Sequence, residues 1–228
     1  MQTVPNTADW TKVRKALQDA ATPFRRAGNA AGEAKHVFPG AVLLVAQGGE
    51  ILFHEAVGSR SVLPEPTEMR RDFVFDIASL TKVLITTTLC MQLVEEGLLN
   101  IDWRLSRIFQ TFGTHGKETM TVRHLLTHRS GYAATHPFYK YIAKADSSDR
   151  AGVMTTKSAA AAICNEIFRS KLENMPGKVT RYSDIGYILL GHALEVITGL
   201  TLEKLALKQV IRPLKLASTG YIDLSNIR

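Results

Sequence analysis

One apolar stretch in the first half of the chain limits most strongly how this sequence can fold. Residues 73–97 read FVFDIASLTKVLITTTLCMQLVEEG, and the segment from Leu80 to Val94 is apolar around almost the whole circumference of a helix. Such a helix is normally buried at the centre of a domain, because no side of it favours contact with water. Gly97 is placed to end it. The 228 residues, of which 45% are hydrophobic, are sufficient to enclose a core of this kind.

The sequence before this stretch predicts one helix and one β-hairpin. The first thirty or so residues have an amphipathic helical pattern that Thr7 or Asp9 could cap. Two apolar segments, AVLLVA and ILF, then flank Gly48-Gly49, a pair typical of tight hairpin turns. We therefore expect a hairpin at residues 41–58, and its near-continuous apolar runs favour strands that are covered on both faces.

The rest of the chain reads mainly as helices. TTKSAAAAICNEIFRSKL has a helical pattern, and a second apolar helix extends to Thr198. A further helix opens with Thr201 as its cap and Glu203 in its first turn, and Pro213 stops it. The order of one helix, one hairpin and then several helices predicts a mixed α+β fold.

Composition and charge argue against several classes of function. The formal net charge is +7, but the basic residues are scattered and form no long run, so nucleic-acid binding is not predicted. Cys90 and Cys164 lack the close spacing of a disulfide framework or a metal site. The N-terminus has no apolar signal region, and no apolar run reaches membrane-spanning length. We expect a cytoplasmic protein without cofactor or membrane contact, or a periplasmic one if the true N-terminus lies upstream.

The start of the apolar stretch contains a candidate catalytic pair, Ser79 and Lys82. Residues three apart lie on the same face of a helix, about 5–6 Å apart at Cβ. A serine at a helix start also sits in the positive field of the helix N-terminus, which favours an oxyanion there. Lys82 could then act as the general base for Ser79 if burial lowers its pKa. The spacing alone is weak evidence, because a serine and a lysine three apart are common by chance.

A second segment, RYSDIGYILLG, supplies further candidates. Tyr182 and Asp184 follow the turn at Pro176-Gly177 and precede an apolar helix, a position that presents side chains at the edge of a helical domain. With Ser79 and Lys82 they would provide a nucleophile, a base, a proton relay and a polar partner.

Together these segments resemble the serine β-lactamase and penicillin-binding-protein superfamily, in particular its class C-like branch, which includes family VIII carboxylesterases. The matching stretches are FPGAVLLVAQGGEILFHEAVG, FDIASLTKVLITTTLCMQLVEEGLLNID, TVRHLLTHRSGY, MPGKVTRYSDIGYILLGHALEVITG and VIRPLKLASTGY. The resemblance implies an α/β part with an antiparallel sheet and an all-helical part, with acylation of Ser79 and proton movement by Lys82 and Tyr182. It places the chain as the N-terminal portion of one catalytic domain, made of a helix and hairpin at 1–75, a mainly helical part at 76–200, and a returning helix at 201–228.

Two features depart from the pattern of this family. The tyrosine motif often ends in asparagine, whereas here it ends in Asp184, and an ionised aspartate only accepts hydrogen bonds. The third motif, a K-T-G-like strand, normally lies far downstream of the tyrosine motif. STGY at residues 218–221 comes too early to be that strand, so we expect the C-terminal strands to be absent from this chain.

Three functions remain open at this point. The first is a serine esterase acting on small acyl esters, the second is a β-lactamase or D-Ala-D-Ala carboxypeptidase, and the third is a catalytically incomplete fragment with a binding role only. The missing signal region and Asp184 favour the first over the second. An uncovered hairpin would also leave an exposed strand edge, which predicts self-association through that edge.

The sequence also contains two patterns that could be mistaken for functional sites. His124 and His128 are four residues apart, as in a zinc helix, but no glutamate follows His124, so a metal site is not predicted. Ser130 is not in a G-x-S-x-G sequence, so a nucleophile elbow of the α/β-hydrolase type is not supported.

Overall fold

The computed structural model describes residues 9–21, 37–138, 140 and 157–222. The chain forms two compact units, residues 1–75 and residues 76–228.

The first unit contains an N-terminal helix and a small sheet. Helix α1 covers Thr11–Ala21, and Asp9 Oδ1 accepts a hydrogen bond from the Thr11 N–H at 2.9 Å, which caps the helix start. Just before the helix, the Trp10 ring packs against Phe53 of the sheet with ring centroids 5.1 Å apart. The amphipathic helix predicted from the sequence is thus confirmed for this range, whereas Thr7, the alternative cap, lies outside the described residues.

The sheet is antiparallel with the order β1-β2-β3. Strand β1 is Gly40–Gln47, strand β2 is Glu50–Ser61, and strand β3 is the short pair Thr67–Glu68. Gly48 and Gly49 have φ values of 60° and 87°, which are the left-handed conformations that a two-residue hairpin turn requires. The predicted hairpin is therefore confirmed, and β3 adds a strand that the sequence did not indicate.

The expectation that the hairpin is covered on both faces is wrong. Among the residues of the three strands, Phe53 alone is classed as buried, and Leu44 and Ile51 are 49% and 62% exposed. The continuous apolar runs thus reflect β-propensity and partial burial rather than a strand enclosed from both sides.

The second unit is helical. A π-helical turn at Lys82–Thr87 leads into helix α2, Thr88–Glu95, and Leu105–Arg107 form a 3₁₀ turn. The remaining helices are α3 at Val122–Leu126, α4 at Lys157–Arg169, α5 at Asp184–Thr198 and α6 at Leu202–Ala206, and α6 continues into a second π-helical turn at Leu207–Ile211. The predicted helices in these ranges are confirmed.

Helix α5 lies at the centre of the apolar core of this unit. Ser183 caps its start by accepting from the Gly186 N–H, and Gly199, with φ 69°, ends it in the left-handed conformation. Full burial of one leucine contributes about 1.5–3 kcal/mol. The buried residues of α5 are Ile185, Gly186, Leu189, Leu190, Gly191, Ala193 and Leu194.

The helix that begins at Leu80 is buried on one side only, so the prediction of burial all round is wrong. The side that faces α5 and the turn at Leu207–Ile211 carries the buried residues Ile85, Leu89, Cys90 and Leu93. The other side leaves apolar side chains more than half exposed, because the described residues pack against a single face. These exposed side chains are Leu80, Val83, Leu84 and Met91, at 56%, 55%, 52% and 66%.

Both cysteines are buried and unpaired. Burial raises the pKa of the Cys90 thiol to about 12 and, together with the charge of Glu195, that of the Cys164 thiol to about 11. Cys90 therefore packs as a small hydrophobic side chain, as its place in the apolar stretch indicated.

The last part of the chain contains no strand among its described residues. STGY at residues 218–221 forms a turn followed by irregular backbone, and residues 223–228 of the predicted segment 201–228 lie outside the described residues. In the part of the chain that the structure describes, no single helix is both long and apolar enough to cross a membrane. One pair of consecutive helical segments is long and apolar enough when the two are taken together, but the pair is bent by 76°. These segments are Asp184–Thr198 and Leu202–Ile211.

Candidate active site

A strained turn precedes Ser79. Asp76 Oδ1 accepts a hydrogen bond from the Ala78 N–H at 2.8 Å, and this contact closes the turn. Ala78 has φ 43°, a left-handed conformation that costs a residue with a Cβ roughly 1–2 kcal/mol. Backbone strain of this kind concentrates at active sites. The turn leaves Ser79 exposed at the N-terminal end of the helix that follows.

Lys82 lies one turn further along, where the backbone adopts the π-helical conformation. Its Nζ donates to Ser79 Oγ at 3.1 Å, and 15% of its side chain is exposed. π-helical turns inside helices occur frequently at functional sites. The i, i+3 spacing noted in the sequence therefore corresponds to a direct hydrogen bond between the two side chains.

Tyr182 and Asp184 approach the same pair from the start of α5. The Tyr182 OH lies 2.9 Å from Ser79 Oγ as a hydrogen-bond donor. Lys82 Nζ donates to Asp184 Oδ1 at 2.6 Å, which forms a salt bridge. The structure thus brings together all four residues singled out from the sequence, across more than 100 residues of chain.

The charges of this cluster determine its proton affinities. Burial lowers the pKa of Lys82, but the hydrogen bonds and charges of Asp184 and Tyr182 outweigh burial, so the pKa is raised overall. The pKa of Tyr182 is lowered, first by the hydrogen bond with Lys82 and then by the hydrogen bond with Ser79. Lys82 is therefore an ammonium at neutral pH, and Tyr182 gives up its proton more readily than an ordinary tyrosine.

Two aromatic residues beside the cluster were not recognised from the sequence. Tyr187 lies with its ring centroid 5.9 Å from Lys82 Nζ, and its hydroxyl lies 3.1 Å from Thr87 Oγ1. His128 packs against the Tyr182 ring with centroids 4.6 Å apart. The available signal was their position within the segments that carry the family resemblance. The spacing of His128 from His124 resembles a zinc helix and gives no indication of the contact with Tyr182.

Neither His124 nor His128 offers its Nδ1 atom to a metal. His124 Nδ1 accepts from the Thr121 N–H at 3.3 Å, and His128 Nδ1 accepts from the Ser183 N–H at 3.1 Å. Among the described residues, no group of three or more His, Cys, Asp or Glu side chains is arranged to hold a metal ion.

A small pocket adjoins Ser79. Its volume is about 320 Å³, at the lower end of the size range of small-molecule sites. A larger pocket of about 730 Å³, lined by residues between His54 and Asp72, contains none of the four clustered residues, so size alone does not identify the site. The small pocket is lined by Ser79, Lys82 and Asp184 and by Thr86, Tyr187 and Ile188.

Comparison with known proteins shows similarity over most of this chain. N-acetylmuramyl-L-alanine amidase of Bacillus subtilis (strain 168) is 30% identical over 196 residues, which cover 81% of this chain and 43% of that protein. The chain therefore spans less than half the length of this curated relative.

Two solved structures are also similar. The octameric penicillin-binding protein homologue from Pyrococcus abyssi has a TM-score of 0.62 and 26% identity, covering 78% of this chain and 39% of that one. D-amino acid amidase from Ochrobactrum anthropi SV3 has a TM-score of 0.60 and 26% identity, covering 77% and 45%. The Beta-lactamase family model matches residues 16–227. The chain, with its mixed α/β fold, therefore belongs to the Beta-lactamase family.

Proposed function

We propose that this protein is a serine hydrolase that acts through an acyl-enzyme on Ser79. One observation carries the proposal: Ser79 Oγ lies within hydrogen-bond distance of both Lys82 Nζ and the Tyr182 hydroxyl. A nucleophile with an adjacent proton acceptor, itself oriented by a further group, is the arrangement that covalent catalysis requires.

Tyr182 is the better proton acceptor of the two neighbours. The salt bridge to Asp184 keeps Lys82 in its ammonium form, and the ammonium in turn stabilises the phenolate of Tyr182. In its phenolate form Tyr182 removes the proton of Ser79 as Oγ attacks the substrate carbonyl. Tyr182 then returns this proton to the leaving group, and it activates the water that hydrolyses the acyl-enzyme.

The position of Ser79 also favours the oxyanion that forms during attack. The backbone N–H of Ser79 lies at the start of a helix, where the helix dipole provides a positive potential. We assign this N–H as one donor of the oxyanion hole. In enzymes of known mechanism, loss of one such donor reduces kcat by about 10²–10³.

We propose small acyl esters as the preferred substrates. The pocket of about 320 Å³ matches a short acyl group better than a large one. Asp184 lines this pocket, and an ionised carboxylate cannot donate a hydrogen bond to the amide oxygen of an acylamino side chain. The absence of this donor weakens the case for penicillins and peptidoglycan peptides, which carry acylamino side chains.

Amide hydrolysis is the second candidate, because similar proteins bear amidase names. The Bacillus subtilis relative is named for an N-acetylmuramyl-L-alanine substrate, and a structural neighbour is a D-amino acid amidase. An amide substrate makes a greater demand on the proton donor, because the leaving amine must be protonated. Tyr182, hydrogen-bonded to Ser79, would fill this role as well.

The rates of hydrolysis of four substrates distinguish these candidates. We expect p-nitrophenyl acetate and butyrate to be hydrolysed much faster than nitrocefin or a peptide ending in D-Ala-D-Ala. Faster cleavage of the peptide or of nitrocefin would favour the second candidate. Ser79→Ala is the control, and hydrolysis that survives this substitution would overturn the proposal as a whole.

A further inference from the structure

His128 holds the backbone on both sides of Tyr182. Its carbonyl oxygen accepts from the Arg181 N–H at 2.8 Å, and its Nδ1 atom accepts from the Ser183 N–H at 3.1 Å. Its ring also packs against the Tyr182 ring, with centroids 4.6 Å apart and an interplanar angle of 33°. Two backbone hydrogen bonds and one ring contact thus hold Tyr182, whose hydroxyl donates to Ser79 Oγ, in place.

The hydrogen bond from Ser183 determines the charge that His128 carries. A nitrogen that accepts a hydrogen bond has no proton, so Nδ1 is unprotonated and the ring is the neutral Nε2–H tautomer. Protonation of Nδ1 would turn this acceptor into a donor facing the Ser183 N–H. The contact that holds Tyr182 on its C-terminal side would then be lost.

We propose that neutral His128 is a positioning residue that holds Tyr182 against Ser79, and that protonation of His128 releases Tyr182. This inference rests on the proposed function, since it assigns a role in the reaction of the same site. His128 does not touch the reacting atoms, and it acts only through Tyr182.

The groups around His128 favour its neutral form. Burial is the largest cause of its lowered pKa, and the ammonium of Lys82 lowers it further, while Asp184 acts in the opposite direction. Tyr187, from α5, also packs on the ring, with centroids 5.1 Å apart. The charged residues of the adjoining backbone are Arg129 and Arg181, and Arg181 is paired with Glu173.

The direction of the pH dependence follows from this shift. The ordinary pKa of histidine is about 6.5. Because the pKa of His128 is lowered, His128 is neutral at pH 7 and becomes protonated only at a pH lower than that of an ordinary histidine. The position of Tyr182 is therefore retained at neutral pH and lost as the pH falls through the pKa of the folded protein. Activity on the acidic side should fall together with the protonation of His128.

His124 provides a matched control. It lies one helical turn earlier, its pKa is also lowered chiefly by burial, and its Nδ1 also accepts a backbone N–H, from Thr121. It has no contact with Ser79, Lys82 or Tyr182 among the described hydrogen bonds and ring contacts. His124→Gln keeps a side chain suited to this capping position.

Two substitutions of His128 separate its functions. His128 has φ 55°, and asparagine tolerates this conformation well and can still accept from the Ser183 N–H. Asparagine does not titrate in this pH range. In His128→Asn, we therefore expect that the rate at which a fluorophosphonate probe labels Ser79 no longer shows the decrease at acidic pH that protonation of His128 causes. In His128→Ala, we expect that rate at pH 7 to decrease roughly 10- to 100-fold, because a misplaced catalytic group is costly. His124→Gln should leave the rate and its pH profile unchanged.

A measurement that needs no catalysis completes the test. In the wild-type protein, ¹⁵N NMR should show the neutral Nε2–H tautomer of His128, and the ring signals of Tyr182 should shift as His128 is protonated. In His128→Ala, the pKa of Tyr182 should rise, because the contacts with Lys82 and Ser79 that lower it are loosened.

The labelling rates and the NMR signals test the role of His128 independently of one another. A protonated Nδ1 at pH 7, or Tyr182 signals unaffected by the titration of His128, would overturn the inference even if His128→Ala does not fold. An acidic fall that persists unchanged in His128→Asn would overturn it as well. Absence of Ser79 labelling in the wild-type protein at every pH would instead reject the proposed function, and the NMR titration would still decide the role of His128.

Discussion

Replacing Asp184 by asparagine removes the charge that holds Lys82 in its ammonium form. The side chain keeps nearly the same shape, so the contact with Lys82 Nζ, at 2.6 Å in the structure, remains geometrically available. What changes is the electrostatic interaction across this contact. The substitution therefore tests the charge arrangement of the site with little disturbance of its packing.

The magnitude follows from the distance and the exposure of the pair. Two unit charges about 4 Å apart attract by about 4 kcal/mol at an effective dielectric constant of about 20, and by about 1 kcal/mol in water. The Lys82 side chain is 15% exposed, but that of Asp184 is 42% exposed, so solvent screens the pair substantially. We expect a loss near the lower limit, about 1 kcal/mol, which lowers the pKa of Lys82.

The effect on the pH–rate profile has a definite sign. Asp184 raises the pKa of both Lys82 and Tyr182, so its neutralisation lowers both values. The phenolate of Tyr182, the proposed base, is then populated at lower pH. We expect the acidic limb of the profile to move to lower pH by up to about one unit.

The assay is the rate of Ser79 labelling by a fluorophosphonate probe, measured as a function of pH and compared with ester hydrolysis. Asp102→Asn is the control, because it makes the same chemical change in a carboxylate that pairs with Arg123 outside the site. Its profile should match that of the wild type. An acidic limb that stays in place in Asp184→Asn, or that moves to higher pH, would show that the charge of Asp184 does not raise the pKa of the catalytic base.

Three further predictions concern the site, the core and the sheet. In Lys82→Met, the pKa of Tyr182 should rise towards its ordinary value, because the hydrogen bond from Lys82 is the largest cause of its lowering; ultraviolet titration of the phenol measures this. Lys117 is buried and donates to two backbone carbonyls near the end of α4, so Lys117→Met should reduce the free energy of unfolding by about 1–3 kcal/mol in urea titrations. We also propose self-association through the edge of β1, so Leu44→Lys, a charge on that half-exposed strand, should shift sedimentation towards the monomer, whereas an unchanged distribution would argue against this interface.

The features that the sequence predicted well are those that local chemistry determines. Gly48-Gly49 specify a hairpin turn because both residues need left-handed backbone, and the structure has this turn. The pairing of Ser79 with Lys82 was accessible because residues three apart on a helix meet regardless of the surrounding fold. Tyr182, more than 100 residues away, was a candidate from its position between a turn and an apolar helix, and its role as a proton carrier came from the family resemblance.

The features that the sequence did not predict depend on tertiary contacts. Leu80 and Met91 lie on the exposed side of their helix because packing partners cover one face only, and composition does not reveal which face that is. Strand β3 has two residues, too few for a periodic pattern. The contact of His128 with Tyr182 joins two loops, and no spacing in the sequence predicts this contact.

Mapping of the labelled residue tests directly whether Ser79 is the nucleophile. The protein is treated with a fluorophosphonate probe, digested, and analysed by mass spectrometry for the modified serine. We expect a single adduct on Ser79 in the wild-type protein and its complete loss in Ser79→Ala. An adduct on a different serine, or labelling that persists in Ser79→Ala, would show that Ser79 is not the nucleophile.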